Sequence, residues 1–181
     1  MKKYQLGLYE KSMPGSLTLH EKLKETKRAG FDYMELSVDE TEEKLARLRW
    51  TKDDVKELLN AMVNESVPIK SICLSGHRRY PLGHPDPALR GHSLEIMQDA
   101  IVLAARLGVR IIQIAGYDVY YEPSTEATRQ YFAQNLAAAA EMAAREGVIL
   151  AFETMETEFI NTVSKALTWV NAIQSPYLQI Y

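Results

Sequence analysis

What most constrains this chain is a rhythm. Short apolar runs rich in β-formers recur at residues 4–9, 33–37, 69–74, 110–115, 148–153 and 177–181, starting 29, 36, 41, 38 and 29 residues apart. The gaps between them hold longer amphipathic segments whose ends are legible. Thr18 with Glu21 reads as a capping box, and Gly30 stops the helix that it opens. Residues 42–48 suit a short helix. Thr51 with Asp54 opens the next, whose Val55, Leu58, Leu59, Met62 and Val63 fall on one stripe. Asp86-Pro87 is an N-cap followed by a first-turn proline; that helix turns Leu94, Met97, Ile101 and Ala104 inward and stops at Gly108. A further helix runs from near Ser124 to Gly147 and buries Phe132, Leu136, Ala139 and Ala143. The last starts at Asn161 or Thr162 and ends before Pro176.

Strands that alternate with helices of ten or more residues predict βαβ units and a parallel sheet. Ile111-Ile112-Gln113-Ile114 and Val148-Ile149-Leu150-Ala151-Phe152 read as apolar on both faces, as strands covered by helices do. One unit takes about 35 residues, so eight would need about 280, the size of a (β/α)8 barrel. The 181 residues hold five units and a sixth strand, and they stop on an apolar run. We therefore read residues 1–181 as a single α/β domain, the N-terminal part of a (β/α)8 TIM barrel that is C-terminally truncated after about six strands. On pattern alone, a complete doubly wound sheet of six strands is equally open.

Charge and hydropathy exclude several functions. Lys plus Arg is 21 against 24 for Asp plus Glu, a formal net charge of −3. A mildly acidic chain is not built to bind nucleic acid through bulk charge. No run approaches the ~18 apolar residues of a membrane span. The opening Met1-Lys2-Lys3-Tyr4-Gln5 does not resemble a secretory leader. The single Cys73 forbids an internal disulfide and suits a reducing compartment, so a cytoplasmic protein is expected.

In parallel α/β folds the working groups sit where strands give way to loops. Glu35, Asp39 and Glu40 follow the second strand and are equally consistent with a solvated acidic loop. His77, Arg78, Arg79 and His84 follow the third. Two guanidinium groups there suit an anionic or phosphorylated ligand, because the planar fork pairs with phosphate; a basic surface loop would look the same. Tyr117, Tyr120 and Tyr121 follow the fourth, and packing is expected for at least two of them. Cys73 reads as a small buried hydrophobe, and His20 and His92 as structural. The sharpest signal is Glu153, a carboxylate that closes the apolar strand Leu150-Ala151-Phe152. A charge there is costly unless it is paired or coordinates a metal.

Several runs carry a resemblance: Leu6-Gly7-Leu8-Tyr9-Glu10-Lys11, Glu35-Leu36-Ser37-Val38-Asp39-Glu40-Thr41, Cys73-Leu74-Ser75-Gly76-His77-Arg78-Arg79-Tyr80-Pro81-Leu82-Gly83, Gln113-Ile114-Ala115-Gly116-Tyr117-Asp118-Val119-Tyr120-Tyr121 and Asn161-Thr162-Val163-Ser164-Lys165-Ala166-Leu167. Together they resemble the L-ribulose-5-phosphate 3-epimerases, which are xylose-isomerase-like TIM barrels, and the likeness spans essentially the whole chain.

The resemblance implies metal-dependent 3-epimerisation of a pentulose 5-phosphate through an enediolate. It implies one divalent metal ion (manganese, zinc or magnesium) held by two glutamates, an aspartate and a histidine. Glu153 matches the first glutamate, and so is expected to be both metal ligand and catalytic base. The aspartate would follow the sixth strand, two residues beyond Tyr181, and the histidine and second glutamate would lie on strands that are absent, so the chain alone is expected to be inactive. Glu35, His77, Arg78 and Arg79 are the candidates for holding the sugar phosphate. Glu153, Glu35, His77 and Arg78 are expected together at one edge of the sheet. Aldose–ketose isomerisation on the same barrel, or an inactive fragment, are the competing readings. A phosphodiesterase of the abasic-site type would need a more basic face. The unpaired edges of an open barrel invite a second chain, so a homodimer is expected.

Overall fold

In the computed structural model, residues 4–181 are described; the Met1-Lys2-Lys3 start used in the leader argument lies outside them. The elements run β1 (Gly7–Tyr9), α1 (Leu19–Arg28), β2 (Tyr33–Val38), α2 (Glu42–Leu45), α3 (Lys52–Glu65), β3 (Ile69–Leu74), α4 (Pro87–Leu107), β4 (Ile111–Ala115), α5 (Glu126–Glu146), β5 (Ile149–Glu153), α6 (Val163–Ile173) and β6 (Leu178–Ile180). Single 3₁₀ turns cover Glu10–Ser12, Ala46–Arg49 and Gly76–Arg78.

Local chemistry sets most of these boundaries. Thr18 accepts from the Glu21 N–H while Glu21 reaches back to the Thr18 N–H, and Thr51 with Asp54 repeats the arrangement. Each box satisfies two N–H groups that a helix start leaves orphaned. Asp86 caps α4 with proline in its first turn. The cap of α5 is Thr125, one residue beyond the expected Ser124. Gly108 and Gly147 take the left-handed conformation that ends α4 and α5. Ser66 and Gln174 end α3 and α6 the same way without glycine, at φ near +56° and +55°.

All six strands are parallel and lie in the order of the chain, from β1 through β6. A doubly wound sheet would reverse its order partway; here there is no reversal, and that alternative falls. The sheet is also strongly curved. The Tyr181 hydroxyl, just past β6, donates to Glu35 Oε2 on β2 at 2.7 Å. Neighbouring strands are spaced ~4.8 Å apart, so β2 and β6 would be about 19 Å apart in a flat sheet. Their contact requires the sheet to curl toward that side, as part of a barrel wall does.

Successive strand residues take opposite faces of the sheet. Leu36, Leu74, Ile112, Ile114, Leu150 and Phe152 are buried in the core beneath the helices. The intervening positions, among them Glu35, Cys73, Gln113 and Glu153, line the concave side. On the concave face β4 and β5 carry Ile111, Ala115, Ile149 and Ala151 beside Gln113 and Glu153, so both faces of these strands are largely apolar, as read from the sequence. Two expectations shift. β1 begins at Gly7 rather than at residue 4. Of the α3 stripe, Val55 and Leu58 are buried but Val63 is 76% exposed, because the helix turns it outward beyond its neighbours. Phe132 on α5 anchors the other end of the core, edge-on to Phe159 and Trp169 with centroids 5.0 Å away in each pair. Among the described residues, no helix is long and apolar enough to cross a membrane.

Candidate functional site

A cleft of about 370 Å³ opens at the carboxyl ends of the strands on the concave side. The end of β1 and its turn, Glu35 in the middle of β2, β3 with its following turn, β4, β5 with the residues after it, and Tyr181 just past β6 supply its wall. A larger cavity, about 530 Å³, lies between α1 and α3 on the outer layer, remote from the strand ends.

Glu153 is the last residue of β5 and is exposed at the rim. Partial burial comes first, and then the negative charge of Glu35; together they hold its carboxyl above the usual glutamate value, while Arg78 pulls the other way. No hydrogen bond from a described residue occupies it, so the carboxylate is free to take a proton. Glu35 is different. Its Oε2 accepts from Ser71 Oγ at 2.5 Å and from Tyr181 at 2.7 Å, which fixes the side chain between β3 and β6. Lys11 also faces the cleft but is held by Asp39 at 3.0 Å. Cys73 lines the cleft half-buried instead of sitting in the core, and burial pushes its thiol up to about 11. It is inert as a nucleophile near neutral pH.

Three of the four residues expected side by side do meet here: Glu153, Glu35 and Arg78. His77 does not. The 3₁₀ turn at Gly76–Arg78 sends consecutive side chains in different directions. His77 is buried, with Nε2 3.2 Å from the Ser93 carbonyl of α4, and burial takes its pKa down to about 4. Arg79 is also outside the cleft, exposed and paired with Glu42 at 2.7 Å. Neither lines this cleft. His84 lies beside Glu122 at 3.4 Å. Of the tyrosines, Tyr117 is buried, Tyr121 is exposed with its hydroxyl on Glu40, and Tyr120 carries Arg78 across its ring at 5.1 Å.

One important group was absent from the expected set. Glu10, after β1, is fully buried and bound by Lys22 at 3.0 Å, Lys44 at 2.7 Å and Arg47 at 2.5 Å, with the Ser37 N–H on its second oxygen. It ties α1, α2 and the following turn to the floor beside the cleft. The signal that identified Glu153, a carboxylate closing an apolar strand, was present in Leu8-Tyr9-Glu10 as well.

A divalent ion needs several oxygen or nitrogen donors gathered at one point. Among the described residues, no group of three or more His, Cys, Asp or Glu is arranged to hold one. The described residues alone therefore do not form a metal site, and Glu153 stands as a single donor.

The family described as xylose isomerase-like TIM barrel matches residues 23–181. SgbU of Escherichia coli K12, provisionally named an L-ribulose-5-phosphate 3-epimerase, is 49% identical over 181 residues, covering 100% of this chain and 63% of its own. UlaE of Shigella boydii, named an L-ribulose-5-phosphate 3-epimerase, is 45% identical over 180 residues, covering 99% of this chain and 63% of its own. This chain thus spans about 63% of the length of these relatives. The D-psicose 3-epimerase of Clostridium cellulolyticum H10, solved with D-tagatose, superimposes with a TM-score of 0.84 at 15% identity, over 98% of this chain and 62% of that one. Sequential parallel strands, a curved wall and a cleft at the carboxyl edge agree with the match that covers most of the sequence: the chain belongs to the xylose isomerase-like TIM barrel family.

Proposed function

We propose that this chain carries the β1–β6 share of a sugar-phosphate 3-epimerase site acting on a pentulose 5-phosphate. The observation that carries the reading is Glu153, an unoccupied carboxylate of raised proton affinity at the end of β5, facing a fixed second carboxylate across the cleft. The names of the relatives at 45–49% identity supply the substrate class.

The chemistry asks for such a group. In a 2-ketose the C3 proton is acidified by the adjacent carbonyl. Glu153 takes that proton, the C3–H electron pair moves into the C2–C3 bond, and the carbonyl pair moves onto O2 to give an enediolate. Return of a proton to the other face of C3, with the electrons flowing back, gives the epimer with no net gain or loss of atoms. One base cannot serve both faces, so this reading assigns the second acid–base group to the part of the relatives that the match does not cover. Matching the affinity of a base to the working pH raises its efficiency, and positioned general bases contribute about 10²–10⁴-fold.

The test follows deuterium from solvent into C3 of L-ribulose 5-phosphate by NMR, with Mn²⁺, Zn²⁺ or Mg²⁺ added. The chain alone and the chain joined to the uncovered part of UlaE are compared. The expected result is exchange and L-xylulose 5-phosphate from the joined protein, none from the chain alone, and loss of roughly 10²–10⁴-fold in Glu153→Gln. An aldose product, no exchange from the joined protein, or full exchange in Glu153→Gln would overturn the reading.

A further inference from the structure

We propose that Gln113 on β4 is a specificity-determining contact of the cleft, whose side-chain amide holds the C4 hydroxyl of the ketose while Glu153 works at C3. The inference rests on the epimerase reading above and gives that substrate an orientation.

Gln113 lies in the middle of β4 and faces the cleft. It is only 6% exposed, yet no hydrogen bond from a described residue reaches its amide. The polar groups around it are engaged elsewhere. Ser71 and Tyr181 both bond Glu35, at 2.5 and 2.7 Å. Lys11 is paired with Asp39 at 3.0 Å. The Tyr9 hydroxyl lies 3.4 Å from Ser37 Oγ, and the Arg78 guanidinium lies across the Tyr120 ring. A buried amide without partners is uncommon and costly. On the floor of a cleft, it marks a place that a ligand completes.

The register keeps the amide clear. Gln113 pairs with Cys73 of β3 on one side and with Ala151 of β5 on the other. Both neighbours are short, so the long side chain stands above them at the cleft. Further along the same two strands, Ala115 lies opposite Glu153. Gln113 and Glu153 therefore share the concave face, one strand and two residues apart. At ~3.3 Å per residue and ~4.8 Å between strands, their Cα atoms are about 8 Å apart.

That span and the chemistry of the amide choose the ligand group. An amide offers N–H donors and a carbonyl acceptor side by side. Its complement is a group that also donates and accepts, which is a hydroxyl. A ketone oxygen or a phosphate would use the N–H half alone and leave Oε1 bare. One contact of about 3 Å at C3, another at the hydroxyl and one carbon-to-hydroxyl step between them fill the span. The carbons bonded to C3 are C2, which carries the carbonyl, and C4, which carries a hydroxyl. The amide therefore meets the C4 hydroxyl. Being neutral, it holds the sugar without competing with Glu153 for the C3 proton. A site built to bond a substrate hydroxyl rejects the analogue that lacks it, because its polar group is then left unpaired. Gln113 thus makes the cleft read C4, a carbon that the reaction leaves unchanged.

The experiment titrates the 181-residue chain with L-ribulose 5-phosphate and with its 4-deoxy and 1-deoxy analogues, followed by calorimetry. Wild type is expected to bind the 4-deoxy analogue roughly 10–100-fold more weakly than the parent sugar, and the 1-deoxy analogue within about threefold of it. Gln113→Met has nearly the same length and no amide. It should bind the parent as weakly as wild type binds the 4-deoxy analogue and treat the two alike. Its Tm should hold or rise, because an unpartnered buried amide is gone. A merely structural glutamine would weaken all three ligands together. In the joined protein the same discrimination should appear in kcat/KM and vanish in Gln113→Met. No binding of L-ribulose 5-phosphate by wild type, a larger loss with the 1-deoxy than with the 4-deoxy analogue, or discrimination that survives Gln113→Met overturns the proposal. The two readings separate cleanly: discrimination that depends on Gln113 with no C3 exchange in the joined protein removes the epimerase and keeps the contact. Exchange with discrimination indifferent to Gln113 does the reverse.

Discussion

The imidazole of His77 sits 3.2 Å from the carbonyl of Ser93, fully inside the contact between the turn after β3 and helix α4. Burial disfavours its charged form and takes its pKa from 6.5 to about 4. The unfolded chain therefore binds this proton more readily than the folded one. Stability is complete above pH 6.5 and falls as pH drops from 6.5 through about 4, by at most about 3 kcal/mol. Urea unfolding across this range should show the decline in wild type. His77→Gln, which keeps a donor for Ser93, should flatten it between pH 6.5 and 4.5, above the range where ordinary carboxylates titrate. Equal slopes in the two proteins would count against the buried neutral imidazole.

Glu10→Gln tests the buried network. Burial alone would raise the Glu10 carboxyl, but Arg47, Lys44 and the Ser37 N–H overcome it and hold the group far below the usual range. Removing the anion leaves Lys22, Lys44 and Arg47 gathered around a neutral amide. Losing one partner from a buried ion pair costs about 3–5 kcal/mol. That is a large part of the ~5–15 kcal/mol that holds a typical domain. A loss under about 1 kcal/mol in denaturant unfolding would show that the network is looser than its 2.5–3.0 Å contacts indicate.

Two glycines should respond with opposite signs. A methyl group on Gly83 would come within 2.5 Å of the Thr128 carbonyl oxygen and 2.7 Å of that of Asp118, and the Gly83 N–H already donates to Asp118 at 2.9 Å. Backbone on both sides cannot yield cheaply, so Gly83→Ala is expected to destabilise by about 1–3 kcal/mol. Gly91 sits in α4 with nothing within 4 Å of the added carbon. Gly91→Ala should stabilise by about 0.5–1 kcal/mol, the helix preference of alanine. Thermal melts of the pair decide the matter; the same sign for both would refute the account.

The legible parts of this structure are those governed by neighbours in the chain. Thr18 with Glu21, Thr51 with Asp54 and Asp86-Pro87 act within one helical turn, and each opens its helix where the residues say. Glu153 was visible because an apolar strand runs directly into it. The basic loop after β3 was visible as a set, but sequence does not tell which of three adjacent side chains enters the cleft. That depends on the 3₁₀ turn, which gives His77 to α4, Arg78 to the cleft and Arg79 to Glu42. Glu10 was missed because its partners stand 12, 34 and 37 residues away and gather only on folding.

Because each strand pairs only with the strands next to it in sequence, the sheet can be laid down in the order of synthesis. A ribosome adding about 5–20 residues per second would deliver one ~35-residue unit every 2–7 s. Helix formation and loop closure take microseconds or less, so each unit has ample time to dock on its predecessor before the next emerges. The nascent sheet would always present a single growing edge, where the next strand arrives tethered and at high local concentration. The bond from Tyr181 back to Glu35 would then be among the last contacts to form, reporting that six strands have wound far enough for the wall to curl.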